Sequence, residues 1–134
     1  MANSFKFELV SPERLLLSGD AGEVVVPGAE GEFTFLAGHA PIMSTLKPGV
    51  LRVTMEGVPE ARIFVRGGFA EGSPESLTVL AEQAIPMDEL DAAALAQEVQ
   101  NAEEDVADAE VEEIRAQRQE RLDQLKELQA ALRL

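Results

Sequence analysis

Residues 28–53 read GAEGEFTFLAGHAPIMSTLKPGVLRV. Gly28, Gly31, Gly38 and the Pro48-Gly49 pair cut this stretch into tight corners. Between the corners lie strand-length runs, residues 32–36 and 42–46. After Pro48-Gly49 the chain alternates, Val50, Arg52 and Thr54 against Leu51, Val53 and Met55, the period-2 mark of a half-buried strand. Glu30 and Glu32 stand on the first corner, and acids on a turn are normally solvated. His39, the one histidine of the chain, stands on a Gly-His-Ala-Pro turn. So many corners, with so few groups suited to catalysis, predict a docking edge rather than an active site.

The strand pattern spreads outward from this stretch in both directions. Phe5, Phe7 and Leu9 alternate with Lys6 and Glu8. Residues 15–18 read as a short strand stopped by Gly19-Asp20, and residues 23–27 as a strand covered on both faces. Residues 61–66 follow a Gly57-Val58-Pro59 hairpin. Gly67-Gly68 marks a bulge or corner, and residues 69–71 and 76–82 close the set. About nine or ten short strands with no helix signal predict an all-antiparallel unit, either a β-sandwich of two antiparallel sheets or a barrel.

At Pro86 the composition changes. No glycine or proline occurs from residue 87 to residue 134, and Ala, Glu, Leu, Gln and Arg dominate. This predicts two domains, residues 1–86 and 87–134, the second helical and capped at its start by Asp88, with Asp91 in the first turn. Leu95, Val99, Ala102, Val106 and Ala109 form one helical stripe. A second stripe starts at Val111 and Ile114 and continues through Leu125, Leu128 and Leu132. The phase jump has two readings. One is a helical hairpin turning at Glu103-Glu104-Asp105, roughly 35 Å long. The other is one continuous helix of roughly 70 Å.

Composition excludes several functions. The net charge of −14 argues against nucleic acid and anionic lipid as partners. With no cysteine there are no disulfides, zinc thiolate sites or Cys nucleophiles. No apolar run approaches the roughly 20 residues of a membrane span, and the first ten residues do not read as a signal peptide. A general base at His39 would need a nucleophile or metal partner, and none is signalled nearby, which leaves a structural turn or a protein contact. Glu30 and Glu32 lack the further ligands of a metal site, and no phosphate-cradling loop opens a helix. No cofactor is expected. The last helical stretch carries Arg115, Arg118, Arg121, Lys126 and Arg133, whereas residues 88–113 hold eleven acids and no Lys or Arg. These cations are a solvated face or a contact for an acidic partner.

Several blocks together carry a family resemblance: Val26-Pro-Gly-Ala-Glu-Gly-Glu32, Gly38-His-Ala-Pro41, Leu46-Lys-Pro-Gly-Val50, Val65-Arg-Gly-Gly-Phe69 and Leu77-Thr-Val-Leu-Ala81. In this order, and followed by a two-helix tail, they resemble the epsilon subunit of bacterial F-type ATP synthase. The resemblance implies a ten-stranded β-sandwich and a C-terminal α-hairpin. It also implies a non-catalytic rotor subunit, monomeric within the complex, that couples proton flow to ATP synthesis. It would lie on the cytoplasmic face of the inner membrane, peripheral and without insertion. Its implied partners are the gamma subunit, the ring of c subunits and, through the tail, the alpha/beta catalytic head.

By the same resemblance, Gly28, Glu30, Gly31 and Glu32 face the c ring. Gly38, His39, Ala40 and Pro41 meet gamma or the ring. Arg115, Arg118, Arg121 and Lys126 meet an acidic segment of the beta subunit, so that the tail brakes ATP hydrolysis modestly. Many family members carry Leu-Asp-x-x-Arg-Ala at the start of the tail, a motif linked to ATP binding. Here the run is Leu90-Asp91-Ala92-Ala93-Ala94-Leu95. With Ala94 in the arginine's place, a tail that does not sense ATP is expected. The rival reading is a free β-sandwich ligand sensor that dimerises through its helices.

Overall fold

Alternating apolar side chains bury one face of each strand, and the computed structural model, which describes residues 3–132, builds its first unit on that face. Among the described residues there are seven strands: β1 (Phe5–Val10), β2 (Leu15–Gly28), β3 (Gly31–Phe35), β4 (Ile42–Thr45), β5 (Gly49–Met55), β6 (Ala61–Ser73) and β7 (Ser76–Pro86). A 3₁₀ turn (Met87–Glu89) precedes two helices, α1 (Ala92–Ala107) and α2 (Glu112–Leu132). Arg133 lies outside the described residues. The chain divides into two compact units, Met1–Met87 and Asp88–Leu134.

The first unit is a β-sandwich, with strands ordered β1-β7-β6-β5-β2-β3, β4 added on β6, and β1 also pairing β2. Its core holds Phe5, Phe7, Leu9, Val24, Val26, Phe35, Leu51, Val53, Val65, Leu77 and Val79, all at most 2% exposed. Two expectations are corrected here. The strands number seven rather than about ten, because β2 and β6 each run through both layers. β2 pairs β1 with residues 15–21, bulges between Ala21 and Glu23, then pairs β5 and β3. Gly19-Asp20 therefore does not stop a strand: Gly19 pairs Phe7 and Asp20 pairs Lys6. The sheets are also not wholly antiparallel, since β1 runs parallel to β7 from Lys6↔Ser76 to Val10↔Leu80.

The corner at Gly67-Gly68 explains how β6 serves two layers. β6 leaves β5 after Val65 and takes up β4 from Phe69 onward, while β7 accompanies it on the other side throughout. At Gly68 φ is +97°, and a Cβ there would lie 1.8 Å from the carbonyl oxygen of Leu80. Only glycine lets the strand turn this sharply against its neighbour.

In the second unit α1 and α2 form a hairpin, which decides between the two helical readings. Leu95, Val99, Ala102 and Ala109 are buried, as are Leu122, Leu125, Leu128 and Ala131 of α2. Three details differ from the sequence expectation. Asp91, not Asp88, caps α1: its carboxylate accepts from the amides of Ala93 (2.9 Å) and Ala94 (3.2 Å). The turn lies at residues 108–111 rather than 103–105, because Val106 and Ala109 still follow the apolar seam. Glu103, Glu104 and Asp105 are simply the helix's solvent face. Val111 and Ile114, 54% and 43% exposed, do not restart the seam, which in α2 begins at Leu122.

Candidate docking surfaces

The first candidate cluster is the β2–β3 hairpin. Gly28 pairs Gly31 across a two-residue turn, Ala29-Glu30, with Gly31 at φ +136°. The turn is fastened to the chain that follows β4. Ala29 N–H donates to the Thr45 carbonyl (2.8 Å), Lys47 N–H donates to the Pro27 carbonyl (3.0 Å), and Gly28 bridges Leu46. Glu30 is exposed at the tip. Glu32 is exposed too, but it is engaged: Arg52 Nη2 donates to Glu32 Oε1 at 3.2 Å. β2 lies between these two residues, so the pair spans three strands. Arg52 was not among the residues expected at this site. Twenty positions separate it from Glu32 in the chain, and only the β5-β2-β3 order makes them neighbours.

The second cluster is the loop from Leu36 to Pro41. The amide of His39 closes a tight turn onto the Leu36 carbonyl (3.1 Å), and Gly38 N–H donates to the Pro74 carbonyl (2.8 Å). The His39 ring lies on Phe35, centroids 4.8 Å apart and tilted by 20°, while its Nδ1 is 2.7 Å from the Ala40 carbonyl oxygen. Ala40 and Pro41 are exposed beside it. Among the described residues, the contacts of the imidazole are the Phe35 and Phe33 rings and the Ala40 carbonyl oxygen. The structure does not merge the two clusters. They cap opposite ends of β3, whose length is roughly 14 Å.

A third feature escaped the sequence reading. Register places Thr45, Phe69, Leu80 and Val10 in one row across β4, β6, β7 and β1, with Met43 and Glu71 in the next row. Met43 is 65% exposed and Phe69 37% exposed. This outward apolar strip was hidden because Gly67-Gly68 resets the alternation just before Phe69. The strip is a candidate for a protein contact.

The tail cations divide into two kinds. Arg118 Nη1 donates to the Asp105 carbonyl (2.7 Å) and Arg115 Nη2 to that of Ala109 (2.9 Å). Arg121 and Lys126 are exposed on α2 and hold no carbonyl of α1. Among the described residues, no group of His, Cys, Asp or Glu is placed to hold a metal ion. Nor is any helix long and apolar enough to cross a membrane.

Comparison with known proteins gives this arrangement a context. Residues 4–87 match the beta-sandwich domain of the ATP synthase delta/epsilon chains. The chain is 56% identical over 128 residues to the ATP synthase epsilon chain of Parvibaculum lavamentivorans, covering 96% of this chain and 97% of that one. It is 49% identical over 132 residues to the epsilon chain of Mesorhizobium japonicum, covering 98% of each. Among solved structures, it resembles a chain of the Euglena gracilis mitochondrial ATP synthase, in an OSCP/F1/c-ring assembly. The TM-score is 0.79 at 27% identity, over 96% of this chain and 81% of that one. A chain of the Tetrahymena thermophila mitochondrial ATP synthase central stalk and c-ring shares the fold, with a TM-score of 0.62 at 12% identity over 96% of each chain.

Proposed function

This chain belongs to the family of ATP synthase epsilon chains, and on that premise we propose that it is a non-catalytic subunit of the enzyme's central stalk, linking the proton-driven ring to the catalytic head. The full-length match at 56% identity carries the reading. The exposed positions of Glu30, Ala40, Pro41, Met43 and Phe69 support a binding role.

Within that role we assign surfaces to partners. The Glu30 turn is small, polar and held by its neighbours, which suits a contact with the polar loops of the c ring. The loop at Gly38, His39, Ala40 and Pro41 and the apolar strip at Met43 and Phe69 suit the gamma subunit, because covering the remaining exposed surface gives about 1–2 kcal/mol at Met43, 65% exposed, and about 1 kcal/mol or less at Phe69, 37% exposed. The α1–α2 hairpin is a regulatory tail that reaches the alpha/beta head through its cations. The subunit is peripheral, on the cytoplasmic face of the bacterial inner membrane.

The test is assembly. Co-expressed with its gamma subunit, the chain should purify as a one-to-one complex, and alone it should sediment as a monomer. The Met43→Lys, Phe69→Glu double variant should fold but lose the complex. A stable dimer of the chain alone, with no affinity for gamma, would falsify the stalk reading in favour of a self-associating sensor.

A further inference from the structure

The turn at Ala29-Glu30 is laced to a second turn, the one between β4 and β5. Lys47 N–H donates to the Pro27 carbonyl at 3.0 Å, Ala29 N–H donates to the Thr45 carbonyl at 2.8 Å, and Gly28 bridges Leu46 between them. Residues 27–29 and 45–47 therefore run side by side as a short antiparallel ladder, with Lys47 beside Pro27. That register sets Lys47 three residues of strand, roughly 10 Å, from Glu30. The ladder is also tightly packed. A Cβ on Gly28 would lie 2.8 Å from the Gly31 carbonyl oxygen, and one on Gly49 would lie 2.9 Å from Pro27 Cβ. The two turns thus hold each other in one fixed arrangement.

Of the charges on this double turn, that of Glu32 is already offset by Arg52 at 3.2 Å. Glu30 and Lys47 are both exposed, and among the described residues neither is in an ion pair. Lys47 is also the only Lys or Arg between Arg14 and Arg52. What the double turn offers a partner is therefore one anion and one cation at a set spacing. Such a footprint has a direction, and a surface that fits it must present the opposite signs in the matching order.

We propose that Lys47 is the second half of the c-ring contact. The ring then meets this double turn with polar loops that carry a cation opposite Glu30 and a carboxylate opposite Lys47. Glu32, held by Arg52, contributes little. The inference rests on the ring assignment made above and adds to it the charge order of the partner and the residue that reads it. A purely negative turn would accept a positive loop in many orientations. An anion and a cation fixed on one frame select a single setting of the sandwich on the ring, because reversing it brings like charges together.

The test uses the assembled synthase in inverted membrane vesicles, reading proton pumping per ATP hydrolysed. Glu30→Lys and Lys47→Glu should each lower it by about two- to fivefold, whereas Lys47→Arg should stay close to the parent. The exchange variant, Glu30→Lys with Lys47→Glu, keeps the net charge of the turn and should be at least as impaired as either single reversal. A one-to-one complex with gamma checks that each variant is folded. An exchange variant that pumps like the parent overturns the inference, because the contact would then read net charge alone. Loss in Glu30→Lys with none in Lys47→Glu overturns it too, and leaves the ring assignment standing. No loss in either single variant refutes the ring assignment itself.

A second readout needs no charge reversal. Carbodiimide treatment of the parent synthase condenses a carboxylate with an amine in contact with it, releasing water to the reagent. Mapped by peptide, it should join Lys47 Nζ to a carboxylate of a c-subunit loop, and Lys47→Arg should abolish that product. A product joining Lys47 only to another subunit, or no product at Lys47, overturns the inference.

Discussion

The imidazole of His39 lies on the ring of Phe35, 4.8 Å centroid to centroid, and Phe35 is fully buried with its ring edge-on to Phe5 at 4.9 Å. The stacked pair therefore ties a surface loop to the core, in addition to the Gly38 amide on the Pro74 carbonyl. His39→Ala should cost about 0.5–1.5 kcal/mol of unfolding free energy, measured by urea denaturation, and His39→Phe should recover most of it. If the alanine variant is as stable as the parent, the stack contributes nothing.

Two glycines with positive φ should respond differently to the same change. Gly31→Ala, at φ +136° with nothing within 4 Å of the added methyl, should cost only backbone strain of about 1–2 kcal/mol. Gly68→Ala drives a methyl to 1.8 Å from the Leu80 carbonyl oxygen and should add about 1–3 kcal/mol of overpacking to similar strain. Thermal unfolding that ranks the two the other way would show that β6 and β7 separate easily at the corner.

Glu30 and Glu32 are not equivalent, because Arg52 already neutralises Glu32. Replacing both acids by Lys should weaken ATP-driven proton pumping in membrane vesicles while leaving the sandwich folded. Glu30→Lys alone should produce most of that loss. Unchanged pumping in the double variant would remove this turn from the ring contact.

The start of α1 gives a physical reason to expect no nucleotide binding. The amides of Ala93 and Ala94, which a phosphate would seek at a helix N-terminus, are occupied by the Asp91 carboxylate. No Lys or Arg lies between Arg66 and Arg115 to offset that negative charge. Calorimetry on the isolated chain should detect no ATP binding, and a sub-millimolar Kd would contradict this. Asp91→Ala should lower stability by about 1 kcal/mol through loss of the cap and still confer no ATP affinity.

Removing residues 88–134 leaves the unit that holds the β-sandwich core. The truncated chain should still assemble and support ATP synthesis. ATP hydrolysis should rise by about threefold or less, equivalent to about 0.7 kcal/mol of lost inhibition. Failure to assemble would make the tail structural, and a tenfold rise would make it a strong brake.

Local patterns made much of this legible. Phe5, Phe7 and Leu9 announce β1, and Leu95, Val99 and Ala102 announce the seam of α1. What stayed hidden depends on distant partners. Gly19-Asp20 looks like a stop until Phe7 and Lys6 supply the paired strand. The hairpin turn carries no glycine or proline, being closed by arginines from the next helix, so its place could not be found by looking for breakers. Val111 and Ile114 are apolar and yet exposed at that turn, which misled the reading of the stripe. Among the candidate surfaces the Glu30 corner was legible as a turn, whereas the Arg52–Glu32 pair depends on strand order and the exposure of Phe69, on a separate strip, on a reset of phase.

The long strands of the sandwich bear on mechanics. β2 and β6 each belong to both layers, so one layer cannot slide over the other without stretching two continuous backbones. A sideways load entering at the Glu30 turn passes along β2 into the β1 ladder, where antiparallel hydrogen bonds resist it in shear. On the stalk reading proposed above, this continuity would give torsional stiffness in a unit of only 87 residues, with little loss of rotation to internal slip.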